Sequence, residues 1–248
     1  MPYFFMRQDH GMKRLDSVIR ARGYASRREV RQLVSEGRIR VDGEKCSDPA
    51  MRIGEDAAIE IDGVLIENRP SVTLMLNKPA GYVCTRDSDL YPTVFSLLKG
   101  EYAERSLFAV GRLDADTEGL LILTNDGELC DRILRPESGI QKTYEVSFDR
   151  PLCEGAAEML RGGVSLPEGV RCRPAYLSPT GERSARITVC EGKYHEVKRL
   201  IRACGAQVST LRRVAIGALS LDEALKTAEY RELSAQEISL LYEKNMLR

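Results

Sequence analysis

The most unusual stretch of this 248-residue chain is Gly111-Arg112-Leu113-Asp114-Ala115-Asp116-Thr117-Glu118-Gly119, set between two apolar runs. Three readings compete for it. As a calcium loop, Asp114, Asp116, Glu118 and Gly119 would take positions 1, 3, 5 and 6 of an EF-hand. Position 12 would then be Asn125 instead of the bidentate Glu, and the flanks read as strands, which counts against calcium. As a solvated acidic turn, the segment needs no further explanation. As an active-site loop, it sets a carboxylate on a tight turn beside an arginine, between rigid strands, where catalytic groups are commonly carried. Residue types and spacing leave the last two readings open.

Other chemistries are poorly supplied. His10 and His195 are the only histidines, which leaves little for a histidine-based metal centre. Seven cysteines, at 46, 84, 130, 153, 172, 190 and 204, form no Cys-x-x-Cys pair. That argues against a disulfide framework or a zinc site and implies a reducing cytoplasm. There is no Gly-x-x-x-x-Gly-Lys phosphate loop and no Gly-x-Gly-x-x-Gly, so no cofactor is expected. The 37 basic and 37 acidic residues cancel, and any affinity for nucleic acid must come from local clustering. No apolar run is long enough to span a bilayer, and Met1–Gly11 lacks the regions of a signal peptide, so no membrane partner is expected. Hydrophobic residues at 43% suffice for a packed core.

Charge does cluster near the N-terminus. Ten basic residues between Gly11 and Cys46 (Lys13, Arg14, Arg20, Arg22, Arg27, Arg28, Arg31, Arg38, Arg40, Lys45) face five acidic ones, the footprint of a phosphate binder. Leu15, Val18 and Ile19 make the apolar stripe of one helix ending at Gly23. Ser26 is the expected N-cap of a second, carrying Val30, Leu33 and Val34 inward and Arg27, Arg28, Arg31 and Arg38 outward. The period then changes to two, with Asp-Gly hairpin signals at 42–43 and 62–63. A solvated amphipathic helix accounts for this pattern as well as RNA binding does.

Glu67-Asn68-Arg69-Pro70-Ser71 reads as a joint. The expected division is an extension at 1–12, a small domain at 13–68 and a larger one at 72–248. In the larger domain Val72–Asn77, Leu107–Val110, Leu120–Thr124 and Ala185–Cys190 read as strands. Glu128–Leu134, Glu154–Leu160 and His195–Cys204 read as helices, and Ser234 to Glu237 as a capping box opening a last one. Strands and helices mix without strict β-α-β alternation, which favours an α+β fold. A second basic region, Arg183 to Arg213, holds eight basic and two acidic residues, and both clusters are expected to face one RNA.

Resemblance separates what spacing cannot. Lys13-Arg14-Leu15-Asp16, Ala25-Ser26-Arg27-Arg28-Glu29-Val30 and Gly37-Arg38-Ile39-Arg40-Val41-Asp42-Gly43 resemble the S4 RNA-binding domain, with Ser17 where many members carry Lys. Gly111-Arg112-Leu113-Asp114 with Asp116–Gly127, Lys142-Thr143-Tyr144-Glu145-Val146 and Glu191–Leu200 resemble, in order, the motifs of the bacterial rRNA pseudouridine synthases of the RsuA type. Leu76-Asn77-Lys78-Pro79-Ala80-Gly81 and Tyr91-Pro92-Thr93-Val94 fit that family's opening segment. The resemblance implies an S4 domain followed by a mixed, largely antiparallel sheet.

It further implies isomerisation of uridine to pseudouridine in ribosomal RNA, with Asp114 as catalytic carboxylate, Tyr144 stacking under the base and Lys198 pairing with Asp114. Arg112 would fill the gap left by a flipped nucleotide, or clamp a phosphate. Arg14, Ser26, Arg27, Arg28, Arg31, Arg38 and Arg199 would contact RNA, and Val197 and Leu200 would wall the base or simply pack the core. His195 is read as structural or RNA-facing. Lys142-Thr143-Tyr144 and Tyr194–Lys198 look like the small-subunit (16S) type, with a 23S enzyme as the alternative and an assembling small subunit as a further partner. A monomer is expected. A non-catalytic S4 ribosome-binding or assembly protein is the rival of another class, but it leaves the motifs at Asp114, Tyr144 and Lys198 unexplained.

Overall fold

The computed structural model describes residues 12–54, 56–67, 71–166 and 169–243. The leader Met1–Gly11 and joint residues 68–70 lie outside the described residues. The chain divides into two compact units, one of residues up to Ser71 with Glu104–Ser106 and Asn125–Gly127, the other of the remainder.

In the first unit, Leu15, Val18 and Ile19 bury one face of the helix Leu15–Ala21. Ser26 caps the helix Arg27–Ser35 reciprocally: Glu29 N donates to Ser26 Oγ at 3.3 Å, and Ser26 N donates to Glu29 Oε2 at 2.6 Å. Such a cap satisfies two end amides that would otherwise lack partners and contributes about 1 kcal/mol. Val30 and Val34 point inward, and Arg27, Arg28 and Arg31 outward. Ile39–Val41, Glu44–Lys45, Ile59–Ile61 and Val64–Leu65 form a four-stranded sheet. Both Asp-Gly turns have positive φ at both residues (51° and 83°, 55° and 77°), the backbone a two-residue hairpin needs to match strand twist.

The second unit is built on one mixed sheet. Its strands run in the order Tyr176–Gly181, Ser184–Val189, Lys142–Phe148, Val208–Ile216, Glu118–Thr124, Thr73–Lys78, Tyr230–Glu232. Every pairing on that path is antiparallel except Val208–Ile216 with Glu118–Thr124. Glu118–Thr124 and Thr73–Lys78 are buried on both faces, which is why they read as continuous apolar runs. Leu74, Leu76, Leu121 and Leu123 enter one core with Leu160, Val197 and Leu200 from helices Ala156–Arg161 and Glu196–Ala203. Met75, Leu120 and Ile122 enter the other, against Leu129 and Ile133 of the helix Gly127–Leu134. The architecture is α+β, an S4-like unit followed by a mixed, largely antiparallel sheet. Among the described residues no helix is long and apolar enough to cross a membrane.

Gly119 makes the one parallel pairing possible. Its φ is +97°, and a Cβ there would lie 2.3 Å from the carbonyl oxygen of Arg213 on the neighbouring strand. Only a residue without a side chain lets the acidic loop enter the sheet at this point.

Candidate active site

Three elements converge on one cleft of about 440 Å³. The first is the loop after Val110, which the fold holds nearly residue by residue. Val110 and Leu113 are buried, and Thr117 N donates to Asp114 O at 3.1 Å to close a turn. Lys78, fully buried, points its ammonium at the carbonyls of Pro79 (3.0 Å), Ala115 (3.3 Å) and Thr117 (2.7 Å). Burial draws the Lys78 pKa below the usual lysine value. Three carbonyl acceptors are what make a cation tolerable there, and in exchange they pin the loop. Gly81 N adds a bond to Ala115 O at 2.8 Å.

The second element is the strand Lys142–Phe148. Its burial alternates, and Tyr144, 9% exposed, faces inward opposite Ile187 and Arg213. A register shift between Thr143 and Tyr144 breaks the ladder with Val208–Ile216 at this residue, a device that re-aims a side chain. Tyr144 belongs to the apolar core and lines the cleft at the same time.

The third is the helix Glu196–Ala203, whose first turn carries Lys198. The Lys198 ammonium lies 3.0 Å from Asp114 Oδ2 and 2.6 Å from Asp116 Oδ1. Burial works against this cation, but its hydrogen bonds to Asp116 and Asp114 outweigh that and raise its pKa. Burial likewise opposes ionisation of Asp116, and Lys198 overrides it, holding that carboxyl below the usual range. His195 Nε2 lies 3.4 Å from Asp114 Oδ1. Leu113, Val189, Val197 and Leu211 supply the apolar walls, and Arg112 lines the cleft while remaining exposed. The result is a carboxylate held beside a lysine in a cleft with an aromatic ring and aliphatic walls. Such a site can take a flat, mostly apolar ring and act on a bond at its edge.

The comparisons with known proteins agree with that geometry. Residues 72–203 match the model of the RNA pseudouridylate synthase family, and residues 13–59 that of the S4 domain. The chain belongs to the RNA pseudouridylate synthase family. An uncharacterized RNA pseudouridine synthase of Bacillus subtilis is 37% identical over 235 residues, covering 93% of this chain and 98% of that protein. Ribosomal small subunit pseudouridine synthase A of Escherichia coli is 37% identical over 228 residues, covering 91% and 98%. A crystal structure of a pseudouridylate synthase superposes with a TM-score of 0.68 at 33% identity, covering 92% of this chain and 99% of that one. The enzyme is thus an isomerase.

The structure also gives the surroundings of the other residues of the synthase that the sequence singles out. Leu200 is fully packed in the core and does not line the cleft, because it sits nearly one turn beyond Val197. Arg38 lies past the end of its helix, with its guanidinium held by Asp62 (both bonds 2.6 Å) and Glu36 (2.9 Å). Arg14 is bound to the buried Asp16 at 2.8 Å. Both can meet a phosphate only by sharing or leaving a carboxylate. Ser26 spends its hydroxyl as a helix cap. Arg22 and Arg213 are buried, and Arg213 Nε donates to Leu120 O at 2.7 Å, so the two basic clusters present less charge to solvent than their composition implies. Arg199 Nη1 donates to Tyr194 O at 3.4 Å. Among the described residues, Arg27, Arg28 and Arg31 enter no ion pair.

Cys172, Glu191 and Glu196 are the group whose donor atoms lie close enough to hold a metal among the described residues, all within 4.8 Å. Lys193 already supplies the positive charge: its ammonium is 2.8 Å from Glu191 and donates to Arg171 O at 2.6 Å. Burial, then the hydrogen bond with Glu191, pushes Glu196 up to about 8. The two carboxyls therefore share a proton and tie down the turn before the Lys198 helix. An unfolded glutamate releases its proton near 4.5, so between that value and about 8 the folded chain holds the extra proton and loses stability as pH rises. Glu196→Gln keeps the hydrogen bond without the ionisation. Its melting temperature is expected to gain on wild type steadily as pH climbs from about 5 to about 8. Parallel melting curves across that window would remove the shared proton from the account.

Proposed function

We propose that the synthase isomerises a uridine of ribosomal RNA, specifically of the small subunit, with Asp114 as the catalytic carboxylate. The observation that carries the reading is the Lys198–Asp114 pair, 3.0 Å apart, beside Tyr144 in a cleft walled by aliphatic side chains. The isomerisation breaks the N1–C1′ bond, turns the base, joins C5 to C1′ and releases the C5 proton while N1 regains one. Asp114 serves it by attacking or by stabilising positive charge as the glycosidic bond parts. Lys198 pairs with Asp114 and holds the Asp116 carboxyl below its usual range. Tyr144 stacks under the uracil, and Arg112, at the open edge, takes the place of the extruded nucleotide. The small-subunit assignment is supported by the relative of Escherichia coli that bears that name.

Release of tritium from C5-labelled 16S and 23S rRNA, each as naked RNA and as assembling particles, tests the reading. Release from 16S substrates alone is expected. Release from 23S alone would move the enzyme to the large subunit, and none from any substrate would leave an RNA-binding assembly protein.

The S4 unit makes a separate prediction. Arg27, Arg28 and Arg31 lie on one helix, and replacing all three with Gln is expected to flatten the slope of log K against log salt by about two to three units. Saturating RNA should restore most of the turnover number, since these contacts hold ground state and transition state alike. Titration of wild type and variant with one rRNA fragment at several salt concentrations checks this, and an unchanged slope would move the RNA site off this helix.

A further inference from the structure

Tyr194 lies between Lys193 and His195, both of which line the cleft, and 71% of its surface is exposed. Its ring lies on the imidazole of His195, centroids 3.8 Å apart and planes inclined by 20°. Consecutive side chains in extended backbone point to opposite sides, so this stack needs a local reversal. His195 provides it with φ 49° and ψ 34°, a left-handed conformation that is costly for a residue with a side chain. The turn is secured by Glu196 N to Lys193 O at 3.1 Å, Lys193 N to Glu196 Oε2 at 3.3 Å and Arg199 N to His195 O at 3.0 Å. One face of the tyrosine is thus backed by a fixed aromatic ring while most of its surface is open to solvent. The backing imidazole reaches Asp114 at 3.4 Å, so the platform is one side chain removed from the carboxylate. Arg199, bonded to the Tyr194 carbonyl, brings a cation to the same turn.

We propose that Tyr194, backed by His195, is a stacking platform for the base of the nucleotide next to the target uridine. The proposal rests on the RNA-modifying reading above and adds a second base-binding position outside the cleft. A rigid aromatic face beside basic groups binds any base, because every base has a π-face, and it retains the strand while the target leaves its stack. Tyr194 has no part in bond breaking, so its loss is felt in binding and not in the chemical step.

The test uses the full-length protein and the rRNA fragment it converts, in three forms: intact, and abasic at the 5′ or at the 3′ neighbour of the target. Tyr194→Ala is expected to weaken the Kd for intact RNA about tenfold, about 1.4 kcal/mol. It should weaken the Kd for one of the two abasic RNAs less than about twofold, because the stacked base is already gone. Tyr194→Phe should match wild type throughout, and the single-turnover rate at saturating RNA should be unchanged in both variants. An equal Kd for Tyr194→Ala and wild type on intact RNA would overturn the proposal. So would a loss of the same size on all three RNAs, which would assign Tyr194 to the backbone or to the turn. Wild-type turnover on the intact fragment is the separate control: if no pseudouridine forms there, the reading of the site fails first, and the platform falls with it.

Discussion

Asp114→Asn is expected to bring turnover below detection while leaving fold and RNA affinity unchanged. The change is nearly isosteric and removes only charge from a side chain already 29% exposed, so the loop held by Lys78 has no reason to move. An amide is a poor nucleophile and a poor stabiliser of a developing cation. Its oxygen can still accept the Lys198 hydrogen bond, so binding and catalysis separate cleanly. Tritium release on C5-labelled RNA reads the chemistry, and a filter-binding Kd on the same RNA reads the affinity. Activity within about tenfold of wild type, about 1.4 kcal/mol of barrier, would show that another group does the work.

Lys198→Met is expected to lower turnover by orders of magnitude through a different cause and to leave a different signature. The ammonium now lies between two carboxylates, 3.0 Å from Asp114 and 2.6 Å from Asp116. Without it, the largely exposed Asp116 and the more buried Asp114 lose the cation between them, and Asp116 loses the interaction that holds its carboxyl below the usual range. Proton uptake by the pair becomes easier as a result. The proton leaves again as pH rises, so the variant's turnover should climb with pH through a window in which wild type is flat. A variant whose residual activity is equally flat would mean that Lys198 serves some purpose other than keeping the carboxylates charged.

Local signals in the sequence carried most of the fold. The N-cap expected at Ser26 forms, with Glu29 completing a capping box, and the capping box expected at Ser234 forms with Glu237. Both Asp-Gly turns form as well, since a hairpin's backbone requirement is met by the two residues themselves. The site was less legible because it is made of tertiary contacts. The acidic loop read equally well as a solvated turn until motif order singled out Asp114. That Lys198 also grips Asp116, 82 residues earlier, left no trace in spacing. Nor did the buttress from Lys78 to Ala115 and Thr117, for a buried lysine and an exposed one look alike in a sequence. His195 was read as structural or RNA-facing, and the structure sets it against Asp114. Arg38 has a partner that spacing does not show: Asp62, 24 residues on, meets its guanidinium. Net charge in a window counts such a residue in full, although its field is already neutralised by its partner.

The central claim, that this chain is an rRNA pseudouridine synthase acting through Asp114, is tested most directly by mapping pseudouridines across all rRNA from cells that lack the protein. The same cells are then supplied with wild type or Asp114→Asn. The account predicts that a pseudouridine disappears from small-subunit rRNA, returns with wild type and stays absent with Asp114→Asn. An rRNA map unaltered by the loss of the protein, or one restored equally by Asp114→Asn, would contradict it.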